Sequence, residues 1–399
     1  MADAPLPSRR ATDTVQLARV EQLLGDPSAL ERLFTERELR ETGVEAKHLN
    51  ALAARLAAKN ACGKLVQRDV ELDRVTLRDF EIVTRADGLQ LELNPAARAA
   101  LDRHRLEAVR LSIAPNNFSV SAVAEAAPRQ TDVPWFGKFL YHALPYRRGL
   151  ALENLRRVFG DTLPETEIRR LAQAYYAHYA RFISEFARSP FLSAERQRRY
   201  IRVENIESPI RAHERGKGVL LLTGHFGNWE IATSVGIKEF PQYKNLFHFV
   251  RRPIKPQFLN DLIAWRDRRT GFGTLSKRGS LDTMLDLLSH GAIIIFVFDQ
   301  HAGRKDGVVV DFFNHPAGTF KSVALLAMTT GAPVIPASSW REPDGSHVMR
   351  FEDPLPLIEC DDTTEAIRRN TQAYNVSIER MLLRHPEQWI WMHQRWKVR

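Results

Sequence analysis

Short apolar runs bounded by glycine alternate with amphipathic segments through the second half of the chain. The runs GVLLL (Gly218–Leu222) and AIIIFVF (Ala292–Phe298) are typical of interior strands in a parallel sheet. Helical periodicity separates such runs from Gly218 to Pro336, and this βαβ alternation predicts a mainly parallel sheet flanked by helices. The predicted fold class of this half is therefore α/β.

The first part of the chain has a different pattern, with amphipathic helical segments and short alternating strands that predict a small α+β domain. The helices are predicted over Leu17–Leu24, Glu36–Glu41 and His48–Lys64, and the strands over Phe80–Arg85, Leu89–Leu93 and Ser119–Ala124. The stretch AEAAPRQTDVPWF then breaks the periodicity at Pro128 and Pro134. We therefore predict domains over 1–127 and 128–399. Helices are expected after the boundary over Gly149–Phe159, Glu165–Ser189 and Ser193–Tyr200.

Length and charge narrow the classes of protein. A chain of 399 residues exceeds the roughly 250 to 300 at which a single core usually splits, so two domains are expected. The net charge of +9 favours acidic partners, namely nucleic acid, an anionic lipid surface or an acidic carrier protein. No nucleic-acid-binding motif is present, so we expect no nucleic-acid partner.

Cysteine usage and hydropathy bear on the compartment. The two cysteines, Cys62 and Cys360, support neither a disulfide framework nor a cysteine metal site. The N-terminus lacks the apolar core of a signal peptide, and no run approaches the roughly 18 apolar residues of a membrane-spanning helix. We expect a cytoplasmic protein that is soluble or peripherally associated with the inner face of the cytoplasmic membrane.

The motif GHFGNWE carries the most specific chemistry. It places His225 directly after a predicted buried strand and Glu230 five positions later, where the strand gives way to a helix. A carboxylate one helical turn away could orient the imidazole as it takes a proton from a hydroxyl, which suggests acyl transfer. The alternative is a histidine satisfied in a strand-to-helix turn and a glutamate in a first helical turn. Asp299 and Gln300 follow the next buried run, where α/β sheets form their clefts, and are expected to line the site.

The segment WFGKFLYHALPYRR, Trp135 to Arg148, contains both aromatic and basic residues. This composition suits a segment in a membrane interface, with rings at the headgroups and cations toward anionic lipid. It suits equally well an amphipathic helix that packs on its own domain.

Several ordered motifs from Trp135 onward resemble the bacterial lipid A late acyltransferases, a branch of the lysophospholipid acyltransferase superfamily that includes mannoside acyltransferases. They are RRGLALENLRRVF, GKGVLLLTGHFGNWE, RRP, SKRG, DQHAGRKDGVVVDFFNHPAGTFKS, LLAMTTGAPVIP and PEQWIWMHQRWK. The resemblance implies that His225 is the general base and Glu230 its partner. The donor would be an acyl carrier protein or coenzyme A thioester, with no cofactor and no metal. The matched positions expected to bind substrate are Asn228, Arg252, Arg278, Asp299, Gln300, Thr319 and Lys321.

A developing oxyanion would need hydrogen-bond donors. Backbone amides after His225 are one expected source, and Arg252 or Arg278 a second. The phenylalanines of DFFNHPAGT are expected to fill core or to wall an acyl-chain pocket. His301, His315 and His393 lack metal-ligand spacing, so we assign them no metal.

The first domain resembles, more faintly, the holo-acyl-carrier-protein synthase type of phosphopantetheinyl transferase. The similar segments are ATDTVQLARVEQLL, LERLFTERELRE, RLAAKNACGKL and RLSIAPNNFSVSAVAEA. In that family's magnesium site Asp13 matches one carboxylate, but Asn60 stands in place of the second, with Lys59 and Lys64 beside it. We therefore expect an inactive relative that retains a basic surface for docking an acidic carrier protein. Arg37, Arg40, Arg55, Lys59 and Lys64 are the candidates, and a spacer or dimerisation unit is the alternative.

Together the two resemblances favour an O-acyltransferase that draws its acyl group from acyl carrier protein and acts on a lipid or glycolipid. The alternatives are a transferase that uses acyl-CoA, one that acylates a soluble or polyketide-type product, and a non-catalytic carrier-protein scaffold. An active phosphopantetheinyl transferase is disfavoured by Asn60 and by Pro115.

Overall fold

The structure is a computed structural model that describes residues 8–66, 75–86, 88–188, 201–229, 243, 245–251, 257, 261, 271–276 and 279–397. The chain divides into two compact units. The N-terminal unit comprises Met1–Asp132 with Phe159–Ile168, and the C-terminal unit comprises Val133–Val158 with Arg169–Arg399. The segment 159–168 thus belongs to the first unit, although the sequence alone puts it in the second predicted domain.

The N-terminal unit is an antiparallel sheet wrapped around one long helix. Its strands are β1 (Arg9–Gln16), β2 (Phe80–Arg85), β3 (Gly88–Leu93), β4 (Leu106–Pro115) and β5 (Ser119–Pro128). Its helices are α1 (Leu17–Leu24), α2 (Pro27–Leu33), α3 (Glu36–Thr42), α4 (Leu49–Leu65) and α5 (Pro95–Arg103). The sheet order is β1-β5-β4, with β2 and β3 forming a separate hairpin. Alanines on nearly every face of α4 are buried, since this helix lies in the centre of the unit's core.

The C-terminal unit is built on a seven-stranded, mostly parallel sheet in the order β6-β14-β13-β7-β10-β8-β9. Its strands are β6 (Ile201–Glu204), β7 (Val219–Thr223), β8 (Phe247–Arg251), β9 (Gly273–Ser276), β10 (Ile293–Val297), β13 (Val334–Arg341) and β14 (His347–Phe351). Among these pairings, only β13 and β14 run antiparallel. The predicted α/β class is confirmed.

Helices and one hairpin surround this sheet. The helices are α6 (Trp135–Ala143), α7 (Arg148–Phe159), α8 (Glu165–Arg188), α9 (Glu207–His213), α10 (Leu281–Ser289), α11 (Ser322–Thr330) and α12 (Thr363–Arg384). The hairpin pairs β11 (Gly307–Phe312) with β12 (His315–Phe320). The apolar runs of β7 and β10 are buried and lie side by side in parallel register, Ile293 opposite Val219. Their carboxyl ends therefore meet at one edge of the sheet, which is where His225 and Asp299 follow.

Strand β5 continues to Pro128, whereas the sequence pattern predicts its end at Ala124. Small apolar residues keep alternating through Ala126, and this strand pairs on both sides with β1 and β4. The helix predicted over Ser193–Tyr200 lies outside the described residues.

Candidate active site

Two glycines shape the loop that follows β7. A Cβ atom on Gly224 would lie 2.9 Å from Asp299 Oδ2, so a side chain there would displace the carboxylate. Gly227 adopts a left-handed φ of +53°, and its Cβ would lie 2.6 Å from the carbonyl oxygen of Ser339. The glycines of GHFGNWE thus let the loop pass close to two neighbouring segments while presenting His225.

The C-terminal residues clamp this loop in place. Phe226 forms an isolated antiparallel bridge with Trp389, and the Gly227 amide donates to the carbonyl of Gln388. Ser339 Oγ donates to the carbonyl of Phe226. The segment PEQW is therefore part of the site although it is remote in sequence.

Asp299 holds His225 at two points. His225 Nδ1 lies 2.9 Å from Asp299 Oδ1, and the backbone amide of His225 donates to Asp299 Oδ2 over 2.7 Å. Trp389 Nε1 also donates to Oδ2, over 2.7 Å. The Asp299 side chain is fully buried, whereas 16% of the His225 side chain is exposed. An ionised, buried carboxylate that accepts from Nδ1 leaves Nε2 as the basic nitrogen.

The charge state of Asp299 follows from these contacts. Burial alone would raise the pKa of this carboxyl, but the charge and hydrogen bonds of His225, together with His393, lower it well below its usual range. The neighbouring His393 is buried, and burial lowers its pKa to about 4, partly opposed by Asp299. At neutral pH the site therefore combines an ionised Asp299 with a neutral His393.

Gln300 and Trp229 line the exposed side of His225. Gln300 Nε2 lies 3.3 Å from His225 Nε2, a long contact that an incoming hydroxyl can replace. The Trp229 ring meets the imidazole edge-on at 4.9 Å and stacks on Phe182 at 4.4 Å. Phe182 belongs to an aromatic row on α8 with Tyr179. An apolar wall thus begins directly beside the imidazole.

A buried polar network supports the loop from behind. Arg341, at the end of β13, donates to both carboxylate oxygens of Glu185 over 2.6 Å each. Asn228 donates to Glu185 Oε2 over 2.8 Å and is fully buried. Arg341 also contacts His178 Nδ1 at 2.9 Å, and His178 is in turn hydrogen-bonded to the backbone of Gly227. The network fixes the loop on both sides of Gly227.

The predicted substrate-binding residues fall into different places. Asp299 and Gln300 contact His225, as described. Asn228 is fully buried in the network, and Thr319 is fully buried with its hydroxyl oxygen accepting from Arg395 and Asn375. Both positions favour structural roles over direct contact with substrate. Lys321 is half-buried at the start of α11. Glu230, Arg252 and Arg278 lie outside the described residues, so their roles stay predictions.

Two of the backbone amides expected to stabilise an oxyanion already have hydrogen-bond partners. The Phe226 amide donates to the Gly224 carbonyl and the Gly227 amide donates to the Gln388 carbonyl, so the first two amides that follow His225 are already engaged.

Phe312 and Phe313 are fully buried, and Phe312 packs against Trp389 and Trp396. They fill core behind the site.

Three of the residues assigned by sequence to a vestigial magnesium site lie together in the N-terminal unit. Asp13 Oδ1 accepts from Lys64 Nζ over 2.8 Å, and Oδ2 accepts from Asn60 Nδ2 over 2.9 Å. A lysine ammonium and an amide thus occupy both oxygens of the one carboxylate, a donor set that does not fit a divalent cation. Within the described ranges, no cluster of three or more histidine, cysteine or acidic side chains could hold a metal ion.

Two of the predicted docking residues point inward. Lys59 is fully buried in an ion pair with Glu38 at 2.6 Å, and Arg55 is buried where it donates to Thr84 and the carbonyl of Ile82. Neither side chain presents its charge to a partner, because the core of the unit closes over the middle of α4. Arg40, by contrast, is exposed.

Helix α6 and the loop that follows it present large apolar side chains to solvent. The exposed set is Trp135 at 79%, Phe139 at 62%, Leu144 at 56% and Tyr146 at 64%. None of the helices in the described part of the chain is both long enough and apolar enough to traverse a bilayer.

The N-terminal third is similar in structure to holo-acyl-carrier-protein synthases. The enzyme of Chronobacterium ammoniagenes, in complex with CoA, is 22% identical with a TM-score of 0.28, and the similarity covers 31% of this chain and all of that one. The Neisseria meningitidis synthase is 28% identical with a TM-score of 0.26 and covers 29% and 95%.

Sequence relatives cover the rest of the chain. The lipid A biosynthesis lauroyltransferase of Escherichia coli is 24% identical over 264 residues, which are 66% of this chain and 83% of that protein. The phosphatidylinositol mannoside acyltransferase of Mycolicibacterium smegmatis is 27% identical over 247 residues, or 61% and 77%. The family model for bacterial lipid A biosynthesis acyltransferases matches residues 133–398. The predicted relationship is confirmed: the chain belongs to the bacterial lipid A biosynthesis acyltransferase family and is an acyltransferase related to enzymes that act on lipids.

Proposed function

We propose that the protein transfers a fatty acyl group from an acyl carrier protein or coenzyme A thioester to a hydroxyl of a lipid or glycolipid, with His225 as general base. The observation that carries this proposal is the pairing of His225, whose side chain is 16% exposed, with the fully buried carboxylate of Asp299. Asp299 accepts from Nδ1 and so keeps the lone pair of Nε2 toward the open side of the site.

In the proposed reaction a single imidazole both accepts and returns the transferred proton. His225 Nε2 takes the proton of the acceptor hydroxyl as its oxygen attacks the thioester carbonyl. The tetrahedral intermediate then expels the thiolate, which takes the proton back from the imidazolium. The products are an ester and a free thiol, and the histidine returns to its neutral state. Asp299 stabilises the imidazolium between these two proton transfers.

Gln300 is the group best suited to assist. Its amide lies 3.3 Å from Nε2 and would be displaced when the acceptor hydroxyl arrives. The freed amide N–H could then donate to the developing oxyanion, as could Arg252 or Arg278. Glu230, the partner suggested by sequence, remains a second candidate for orienting His225.

The exposed surface of α6 and of the loop that follows it is suited to binding a membrane. Trp135, Phe139, Leu144 and Tyr146 project rings and apolar groups into solvent, and Lys138 and Arg147 accompany them. This combination favours peripheral binding to anionic lipid, where a lipid acceptor would be found.

Some predicted docking residues of the N-terminal unit are exposed and could bind an acidic carrier protein. Arg40 is 74% exposed and Lys64 49% exposed. We propose that this unit recruits acidic acyl carrier protein without performing its own chemistry, since Asp13 is already satisfied by Asn60 and Lys64.

Product analysis tests the proposed function. The purified protein and His225→Ala are each incubated with acyl carrier protein or CoA thioesters and a bacterial lipid extract, and the products are identified by mass spectrometry. We expect an acylated lipid with wild type alone. Transfer only to a soluble acceptor would overturn the lipid proposal, and no transfer from either donor would favour a non-catalytic scaffold.

A further inference from the structure

A cavity of about 350 Å³ is lined by residues that directly follow Asp299 and Gln300 in the chain. Its lining includes His301, Arg304 and Lys397 along with the apolar side chains of Val308 and Val309. None of the described residues that line it is acidic. Three nitrogen-bearing side chains thus converge on one concave surface with an apolar wall.

The cationic side chains that line this cavity are not neutralised by ion pairs with described residues. Arg304 and Lys397 are exposed, and neither takes part in an ion pair found among the described residues. His301 Nδ1 is buried and meets no hydrogen-bond partner in that part of the chain. Burial lowers the pKa of His301, and the charges of Arg395 and Lys397 lower it further. The surroundings of His301 are therefore electropositive, and this positive charge would stabilise a bound anion.

Close backbone contacts hold one wall of the cavity rigid. The Ala302 amide donates to the Gly318 carbonyl over 2.9 Å. A Cβ atom on Gly318 would lie 2.2 Å from the Ala302 carbonyl oxygen and 3.0 Å from the His301 ring, so only glycine fits there. Arg395, fully buried, also donates to the Gly318 carbonyl. The loop that bears His301 is thus held against the β11–β12 hairpin.

We propose that this cavity binds a phosphate group carried by one of the two substrates, an inference that rests on the proposed acyl transfer. The planar guanidinium of Arg304 suits two phosphate oxygens, and Lys397 supplies a point charge. His301, which lines the cavity, directly follows Gln300, whose amide lies 3.3 Å from His225 Nε2. The phosphate could come from the acceptor headgroup or from the phosphopantetheine arm of the donor.

Binding of inorganic phosphate to the whole protein, followed by calorimetry, tests the site without catalysis. The variant Arg304→Ala/Lys397→Ala removes two positive charges from the cavity. Lys305→Ala/Arg211→Ala removes the same charge from exposed positions outside it. We expect at least tenfold weaker phosphate binding in the cavity variant and unchanged binding in the control. Equal binding by the two variants, or none by wild type, would overturn the proposal.

Steady-state kinetics then distinguish the source of the phosphate. A KM raised about tenfold for both acyl-CoA and acyl carrier protein assigns the site to the donor, and a KM raised for the lipid alone assigns it to the acceptor. Unchanged KM values for all substrates overturn a role in substrate binding. Phosphate binding that depends on Arg304 and Lys397 in a protein that transfers no acyl group would support the anion site and overturn the proposed function instead.

Discussion

Trp389 donates its indole N–H to Asp299 Oδ2 over 2.7 Å, and both side chains are buried. This bond ties the C-terminal segment to the carboxylate that orients His225. Because Asp299 accepts from Trp389 and twice from His225, its position and its charge are both fixed before any substrate arrives. The PEQWIWMHQRW motif therefore holds the carboxylate that contacts His225, the proposed general base.

Replacing Asp299 with asparagine should remove most of the activity. An amide cannot stabilise the imidazolium and can hold the wrong tautomer of His225, so we expect kcat to fall on the order of 10²- to 10⁴-fold. Asp286→Asn is the matched control, since Asp286 faces His290 on the exposed surface. Acyl-transfer kinetics and thermal unfolding of both variants give the measurement. If Glu230→Gln abolishes transfer while Asp299→Asn does not, Glu230 is the partner of His225.

Arg341→Gln should destabilise the protein and disturb the catalytic loop. The change leaves Glu185 without its bidentate partner in a largely buried setting, at a cost of about 3 kcal/mol in the free energy of unfolding. Arg368→Gln breaks a bidentate pair with Glu365 that is exposed and screened by solvent, and should cost much less than the change at Arg341. Urea unfolding of the two variants makes the comparison. Equal losses would contradict a supporting role for the Glu185–Arg341 pair.

Stability should fall as the pH drops from 7 to 5. Burial lowers the pKa of His178 to about 3 and that of His347 to about 4, with Arg341 adding to both shifts. The unfolded chain therefore binds protons first, so this stability is complete above about pH 6.5 and is lost below it, by up to about 1.4 kcal/mol per pH unit for each histidine. Asp299 does not contribute in this window, because its pKa is lowered and its effect appears only below the ordinary value of 3.8. Urea unfolding across this range should show a shallower pH dependence for His347→Gln than for wild type, and equal slopes would refute the assignment.

Binding to anionic vesicles should depend on α6. Trp135→Ser/Phe139→Ser removes two exposed rings, and we expect partitioning to weaken on the order of tenfold or more. Leu281→Ser/Leu357→Ser removes exposed apolar side chains elsewhere and should leave binding unchanged. Vesicle sedimentation at fixed salt gives the partition coefficients. Similar losses in the two variants would indicate nonspecific adhesion.

Arg40→Glu should raise the KM for acyl carrier protein severalfold and leave that for acyl-CoA unchanged, since charge reversal repels an acidic partner. Lys47→Glu reverses a charge of similar exposure and serves as control. These substitutions are preferable to removal of residues 1–127, because 159–168 pack within the N-terminal unit, where Thr162 bonds the carbonyl of Arg103. A KM that rises equally for both donors would count against recruitment by this surface.

The sequence by itself determined the α/β class, the acyltransferase family and the prominence of His225, because apolar runs and ordered motifs are local properties of the chain. Position after a buried run also identified Asp299 and Gln300 as residues of the cleft. The contact between His225 and Asp299 could not be found in this way, since Asp299 is 74 residues distant and reaches the imidazole only because β7 and β10 are parallel neighbours. Likewise, Arg55 and Lys59 have the composition of a docking surface, and only the packing around α4 turns them inward. Tertiary structure decided those roles because contact and burial depend on which strands and helices become neighbours in space.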